Sequence, residues 1–210
     1  MHRTLPVRDE VHVWFCDAGR PGGRHADAIG DIALLSREEK IRCARITRPA
    51  ERRGFAAARA GARRVLADLV GAAPETIDMS AGMWMSAGRG LREDAPEDGA
   101  GAGATPLVLD LVWSADAWVL GLSAGIRLCL ALERAEGPAA AAAARERVRR
   151  KALARLSGAE RATAVQGASG NFSVHDVPTP VSAVAAVACS GRHRRTGGPS
   201  LLLREVPVVT

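Results

Sequence analysis

The sequence predicts an α+β fold in two lobes. Two observations point there. Helix-like and strand-like segments come in batches, which suits helices packed on antiparallel sheets better than a wound parallel sheet. Three strand-like runs, Leu107–Leu111, Trp118–Leu122 and Ile126–Leu132, are separated only by short segments holding Ser114-Ala115-Asp116 and Ser123-Ala124-Gly125, the spacing of antiparallel neighbours.

Each element has a local reason. Val11–Cys16 reads VHVWFC, an alternating β-branched and aromatic run, and is the first expected strand. Ser36-Arg37-Glu38-Glu39 has the S-x-x-E form of a capping box and opens a helix. A second helix is expected from about Pro49 to Val70, with Phe55, Ala58, Ala62, Val65, Leu66 and Leu69 near one face, Arg52, Arg59 and Arg63 off it, and Gly71 ending it. A strand is expected at Ile77–Met79, then a polar loop through Gly88-Arg89-Gly90 and a Gly/Ala/Pro-rich linker. After the three central strands, Ala139–Leu156 is a helix on propensity alone, and Phe172–His175 and Val181–Cys189 are the last strands.

Composition bounds the function. With 210 residues and 47% hydrophobic side chains, the chain suits one large domain or two small lobes with a core that needs no structural metal or disulfide. Cys16, Cys43, Cys129 and Cys189 form no C-x-x-C pair, which argues against a zinc knuckle and for reduced thiols. No apolar run reaches the roughly 18 residues of a membrane helix, and charges stand in Met1–Glu10 where a signal peptide has its apolar core. A cytoplasmic protein without a membrane partner is expected. Net charge is +6, yet Lys40 and Lys151 are the only lysines among 29 basic residues and aromatics are 3%. An arginine excess of this kind follows a GC-rich genome, and without interleaved aromatics it argues against a nucleic-acid partner. Ser114 and Ser123 lack a G-x-S-x-G context, so a serine hydrolase has no support.

Taken together, several strings resemble the Sfp-type 4′-phosphopantetheinyl transferases, which move phosphopantetheine from coenzyme A to a serine of a carrier protein. Leu35–Ser80 is similar to that family's opening S-x-E-x-x-R segment, its R-R-x-F-x-x-A-R-x-x-x-R helix and the strand that follows. Gly88-Arg89-Gly90 stands at the G-K-P turn, and LDLVWSADAWVLGL and IRLCLALER stand at the F-N-x-S-H-S strand and turn and the G-x-D-x-E strand. The resemblance implies two similar lobes, 1–124 and a shortened 125–210, each a small, mostly antiparallel sheet packed with helices. It also implies that Arg52, Arg53 and Arg89 hold coenzyme A phosphates.

The departures fall on the chemistry. The family holds Mg²⁺ through an Asp and a Glu of the G-x-D-x-E strand and a Glu of a W-x-x-K-E-A helix. Here Glu133 keeps one position, Ala131 replaces the Asp, and Val148-Arg149-Arg150-Lys151-Ala152 keeps the Lys without the Glu. Trp113 replaces the His expected at the pyrophosphate, and Asp110 stands where Asn is usual. Only Arg134–Arg147 separates the strand from the helix, where the family has a longer segment that helps form the carrier-protein surface. A lone Glu is a poor Mg²⁺ site, and losing a positioned base costs about 10²–10⁴ in rate.

The expectation is therefore a relative that has lost Mg²⁺-dependent transfer and needs no cofactor. The reading placed first is a metal-independent cyclase or rearrangement catalyst of secondary metabolism, acting on an apolar intermediate, free or tethered to an acyl or peptidyl carrier protein. Asp110, Trp113, Glu133 and Lys151 are its candidate catalytic residues, with Asp110 or Glu133 available for proton transfer. Two alternatives stand beside it: a non-catalytic binder of coenzyme A or carrier protein, and a still-active transferase in which Glu133 and a relocated site hold Mg²⁺. The run Arg145, Arg147, Arg149 and Arg150 is read as a solvated helix face, and Trp118 as core.

Overall fold

A computed structural model describes residues 5–6, 10–17, 28–79, 107–124, 126–163, 172–179, 183–190 and 200–205. The elements run β1 (Glu10–Asp17), α1 (Ala28–Ala33), α2 (Arg37–Arg45), α3 (Pro49–Val70), a 3₁₀ turn (Pro74–Thr76), β2 (Leu107–Trp113), β3 (Ala117–Ala124), β4 (Arg127–Arg134), α4 (Pro138–Thr163), β5 (Phe172–Val177), β6 (Ala183–Ser190) and β7 (Ser200–Glu205). The expected Gly88–Gly90 loop and linker, with Arg89, lie outside the described residues.

Helix boundaries follow from capping chemistry. In α2 the Ser36 hydroxyl accepts from Glu39 N–H at 3.2 Å while the Glu39 carboxylate accepts from Ser36 N–H at 2.8 Å, the reciprocal box expected from S-x-x-E. Pro49 opens α3, where its missing N–H costs nothing. Gly71 closes it at φ 69°, a left-handed position that suits glycine. Helix α4 starts at Pro138 and continues past the expected Leu156 to Thr163.

Two sheets form, in the orders β2-β3-β1-β7 and β4-β6-β5. All neighbours are antiparallel except β1 and β7, which run parallel with Glu10 opposite Ser200. The first sheet thus combines strands from before residue 124 with one from the far end of the chain. Strand alternation sends side chains to two faces. Val11, Val13 and Phe15 of β1, with Val108 and Val119, meet Leu128, Leu130, Ala185, Val187 and Cys189 between the sheets. On the outer face of the first sheet, Trp14, Leu109, Leu111, Trp118 and Leu120 pack on Ala58, Ala62, Val65 and Leu66 of α3. On the outer face of the second, Cys129, Ala131, Val184, Ala186 and Ala188 meet Ala144, Val148, Ala152 and Leu156, spaced at every fourth residue of α4. The result is four layers: α3, sheet, sheet, α4. Trp118, 3% exposed, is core as expected.

Three details depart from the sequence expectation. Ile77–Met79 joins no strand among the described residues, because the Ile77 carbonyl is taken by Arg63 Nε at 3.2 Å and Met79 is buried against the α3 core. Helix α1 and strand β7 are additional. SLLLRE is a short, leucine-rich run whose periodicity does not separate strand from helix.

Helix α3 lies close to the sheet because glycine allows it. A Cβ on Gly61 would sit 2.3 Å from Cζ2 of the buried Trp118 ring. Gly61→Ala is expected to displace that ring and cost about 1–3 kcal/mol, as overpacking of a filled core does. Urea unfolding followed by tryptophan fluorescence measures it, and the emission maximum of the folded variant should shift with the ring.

Candidate functional site

The sequence-derived residues divide between the two faces of β2. Asp110 shares the inter-sheet face with Val108, whereas Trp113 shares the outer face with Leu109 and Leu111. Three residues apart on one strand, they point opposite ways.

Asp110 is 5% exposed. One carboxylate oxygen accepts from the Leu130 N–H at 2.7 Å, and the other accepts from Arg155 Nη2 at 3.0 Å. Arg155 also donates through Nη1 to the Leu130 carbonyl. Leu130 lies on β4, an edge strand of the second sheet. Asp110 and Arg155 together serve both polar groups of Leu130 as a neighbouring strand would, so they join the two sheets where no ladder continues. Burial raises the Asp110 pKa, opposed by the Arg155 charge and the hydrogen bonds of Leu130, Arg155 and Leu111. As placed, it is a structural carboxylate with each oxygen already engaged.

Glu133 lies three residues further along β4, at the surface. Arg147 Nε lies 3.0 and 3.3 Å from its two oxygens, and Nη2 also donates to Oε1. That hydrogen bond holds the Glu133 pKa below the usual carboxylate value against the opposing effect of burial, with the Arg147 and Lys151 charges lowering it further. Arg147, Lys151 and Arg155 are each one turn apart on α4; the charges of the first two act on Glu133, and the third reaches Asp110. Arg149 pairs with Asp176 and Arg150 with Glu146 on the exposed face of α4, the solvated arrangement expected there.

Trp113 is separate from that edge. Its ring packs edge-on against Phe55 at 5.5 Å, and the Arg42 guanidinium lies 5.5 Å from the Phe55 centroid and 6.0 Å from that of Trp113. Gly54 permits this seating, since a Cβ there would lie 2.2 Å from the Ser114 carbonyl oxygen in the turn after β2. Arg52 and Arg53 are exposed at the start of α3.

Sequence reasoning missed a second charged cluster. Arg59 and Arg63, set off the apolar face by periodicity, are 4% and 3% exposed. Glu39, 5% exposed, pairs with both: Arg59 Nε lies 3.0 Å from Oε1, and Arg63 Nη2 lies 2.7 Å from Oε2. Burial pushes the Arg59 pKa down to about 9, with Glu39 drawing it back up and Arg42 and Arg63 lowering it further. The signal was present in the capping box, which puts Glu39 at a defined helical position, and in the i, i+4 spacing of the two arginines. Arg155 gave no comparable signal.

The four cysteines are unpaired by disulfides. Burial pushes Cys129 and Cys189 up to about 12 and Cys16 to about 11, far from the thiolate a nucleophile needs. Among the described residues no three His, Cys, Asp or Glu side chains gather as metal ligands, and no helix is long and apolar enough to cross a membrane. The chain matches no protein-family model and no curated protein.

Proposed function

We propose that the protein is a cytoplasmic, degenerate relative of the Sfp-type 4′-phosphopantetheinyl transferases that has lost transfer and serves secondary metabolism as a binder of coenzyme A or of an acyl or peptidyl carrier protein. The carrying observation is the Glu133–Arg147 pair. At the one metal-ligand position the resemblance retains, a resident guanidinium already spans both carboxylate oxygens. The companion positions supply no oxygen: Ala131 is 1% exposed in the α4 core, and Ala152 is 0% exposed. These residues do not fit a Mg²⁺ site, which needs carboxylate oxygens free to coordinate. Exposed Arg52 and Arg53 remain suited to phosphate, which a guanidinium binds through two parallel hydrogen bonds.

The test pairs two measurements on the full chain. Intact-mass detection of phosphopantetheine transfer to an apo carrier protein, with Mg²⁺ and with chelator, is expected to show no conversion. Calorimetric titration of coenzyme A in chelator is expected to show binding that weakens by about tenfold or more in Arg52→Ala/Arg53→Ala, the loss of two charge-assisted contacts. Mg²⁺-dependent transfer that Glu133→Ala abolishes would overturn the reading, and so would absence of coenzyme A and carrier binding.

A second reading, the metal-independent cyclase, draws on the half-buried Trp113, whose aromatic packing with Phe55 and Arg42 gives an apolar wall where the family has a polar His. Orientation and desolvation of an apolar intermediate are the means it has. It ranks second because Asp110 has both oxygens engaged and Glu133 is ion-paired. Turnover of such an intermediate, lost in Trp113→Ala and insensitive to coenzyme A, would put it first.

A further inference from the structure

Helix α4 covers the second sheet through small side chains. Its buried line is Ala144, Val148, Ala152 and Leu156, and the sheet beneath offers Cys129, Ala131, Val184, Ala186 and Ala188. Helix α3, by contrast, seats Val65, Leu66 and Leu69 against Trp14, Trp118 and Leu120. Apolar attraction follows the area buried, and a face made mostly of alanine buries far less of it. The helix itself does not depend on that contact. It is 26 residues long and opens with Pro138 and six alanines, so its own propensity supports it where a shorter or poorer helix needs packing.

Charged contacts add to the hold, and they differ in strength. Arg147 to Glu133 of β4 and Arg149 to Asp176 of β5 are exposed pairs, of the kind that contributes little. Arg155 reaches deeper, to buried Asp110 of β2 and the Leu130 carbonyl of β4. At its other end α4 is tied to β4 by Ala135, Glu136 and Gly137, and Gly137 has φ 85° with nothing within 4 Å of a Cβ placed there. Gly137 and Arg155 are about 27 Å apart along the axis. Eight residues, 164–171, join the far end to β5, enough chain to reach about 27 Å.

We propose that α4 is a hinged cover that pivots at Gly137 when the Arg155 latch lets go, leaving the second sheet and baring Cys129 while both sheets and α3 stay folded. The proposal rests on the packing of α4 and on neither Arg52 nor Arg53, so it stands whether or not coenzyme A binds.

The experiment is a timed N-ethylmaleimide reaction of the full folded chain, each cysteine read by peptide mass, at several urea concentrations below the unfolding transition. Cys129 lies under α4 and Cys189 between the sheets. Burial pushes both thiols up to about 12, so each reacts when it is uncovered. Cys129 is expected to react about tenfold or more faster than Cys189, with a shallower urea dependence, because lifting one helix exposes less surface than unfolding does. Arg155→Ala should speed Cys129 by about fivefold or more, through loss of its hydrogen bonds to a buried carboxylate and carbonyl. Gly61→Ala, which disturbs α3 on the other sheet, should speed Cys189 by about fivefold or more and leave Cys129 within about twofold. The proposal fails if the two cysteines react at one rate with one urea dependence, if Gly61→Ala speeds them alike, or if Arg155→Ala leaves Cys129 unchanged.

Discussion

Replacing Glu39 by alanine is expected to cost about 4 kcal/mol, because it strands two buried guanidinium groups at once. Arg59 and Arg63 are almost wholly buried, and Glu39 is the carboxylate that pairs with both. The same substitution removes the acceptor for the Ser36 N–H and so opens the start of α2, typically worth about 1 kcal/mol. Glu39→Gln separates the two effects. Glutamine completes a capping box as well as glutamate does, so that variant should recover about the capping share and still lack the charge. Equilibrium urea unfolding reads the result as a fall in midpoint at unchanged slope. A domain with a total stability of about 5–15 kcal/mol has little margin for such a loss. A cost of Glu39→Ala below about 1 kcal/mol would mean that the two arginines find other partners or leave the interior.

Asp110→Ala is the second large effect, expected at about 3 kcal/mol. It leaves the Leu130 N–H without its acceptor and Arg155 without its counter-ion, at the join between the two sheets. Arg155→Ala should cost less, since its side chain is 25% exposed and water can reach part of what it leaves. The double variant should cost less than the sum of the singles, the mark of two groups acting on one backbone unit. Strict additivity would show that Asp110 and Arg155 hold Leu130 independently. Burial already disfavours the charged form of Asp110. What the carboxylate contributes is therefore the placement of β4 against β2, rather than favourable charge burial.

Local rules made much of this fold legible. The Ser36–Glu39 box, Pro49 and Gly71 placed α2 and α3, the alternation in VHVWFC placed β1, and the short apolar run Leu107–Leu111 marked most of β2, because caps and pleats act within a few residues. What escaped was set by distant partners. Ile77–Met79 has strand-like composition, but Arg63, fourteen residues earlier, takes the Ile77 carbonyl. Arg59 and Arg63 look like a solvated stripe until Glu39 is seen facing them. For the candidate site, the family resemblance marked Glu133 and Lys151, and the Lys151 charge on α4 does act on Glu133 of β4. The resemblance gave no means to see that Asp110 and Trp113 lie on opposite faces of the β2 strand in different company, or that Arg155 completes the first of these. A parity count along β2 separates Asp110 from Trp113, but the strand expected from the sequence ended at Leu111 and did not reach Trp113.

The parallel pairing of β1 with β7 bears on how the chain is made. Glu10 meets Ser200, so the first sheet joins two strands that lie far apart in the sequence. Contacts of such long sequence separation slow folding, because most of the intervening chain must be ordered before they form. During synthesis β1 can pair with β3 and lie on α3, but the flank that β7 will occupy stays open until that strand has been made. An open flank on a strand as apolar as VHVWFC is a place where a second nascent chain can add itself. The arrangement makes the closing strand a safeguard against misassembly.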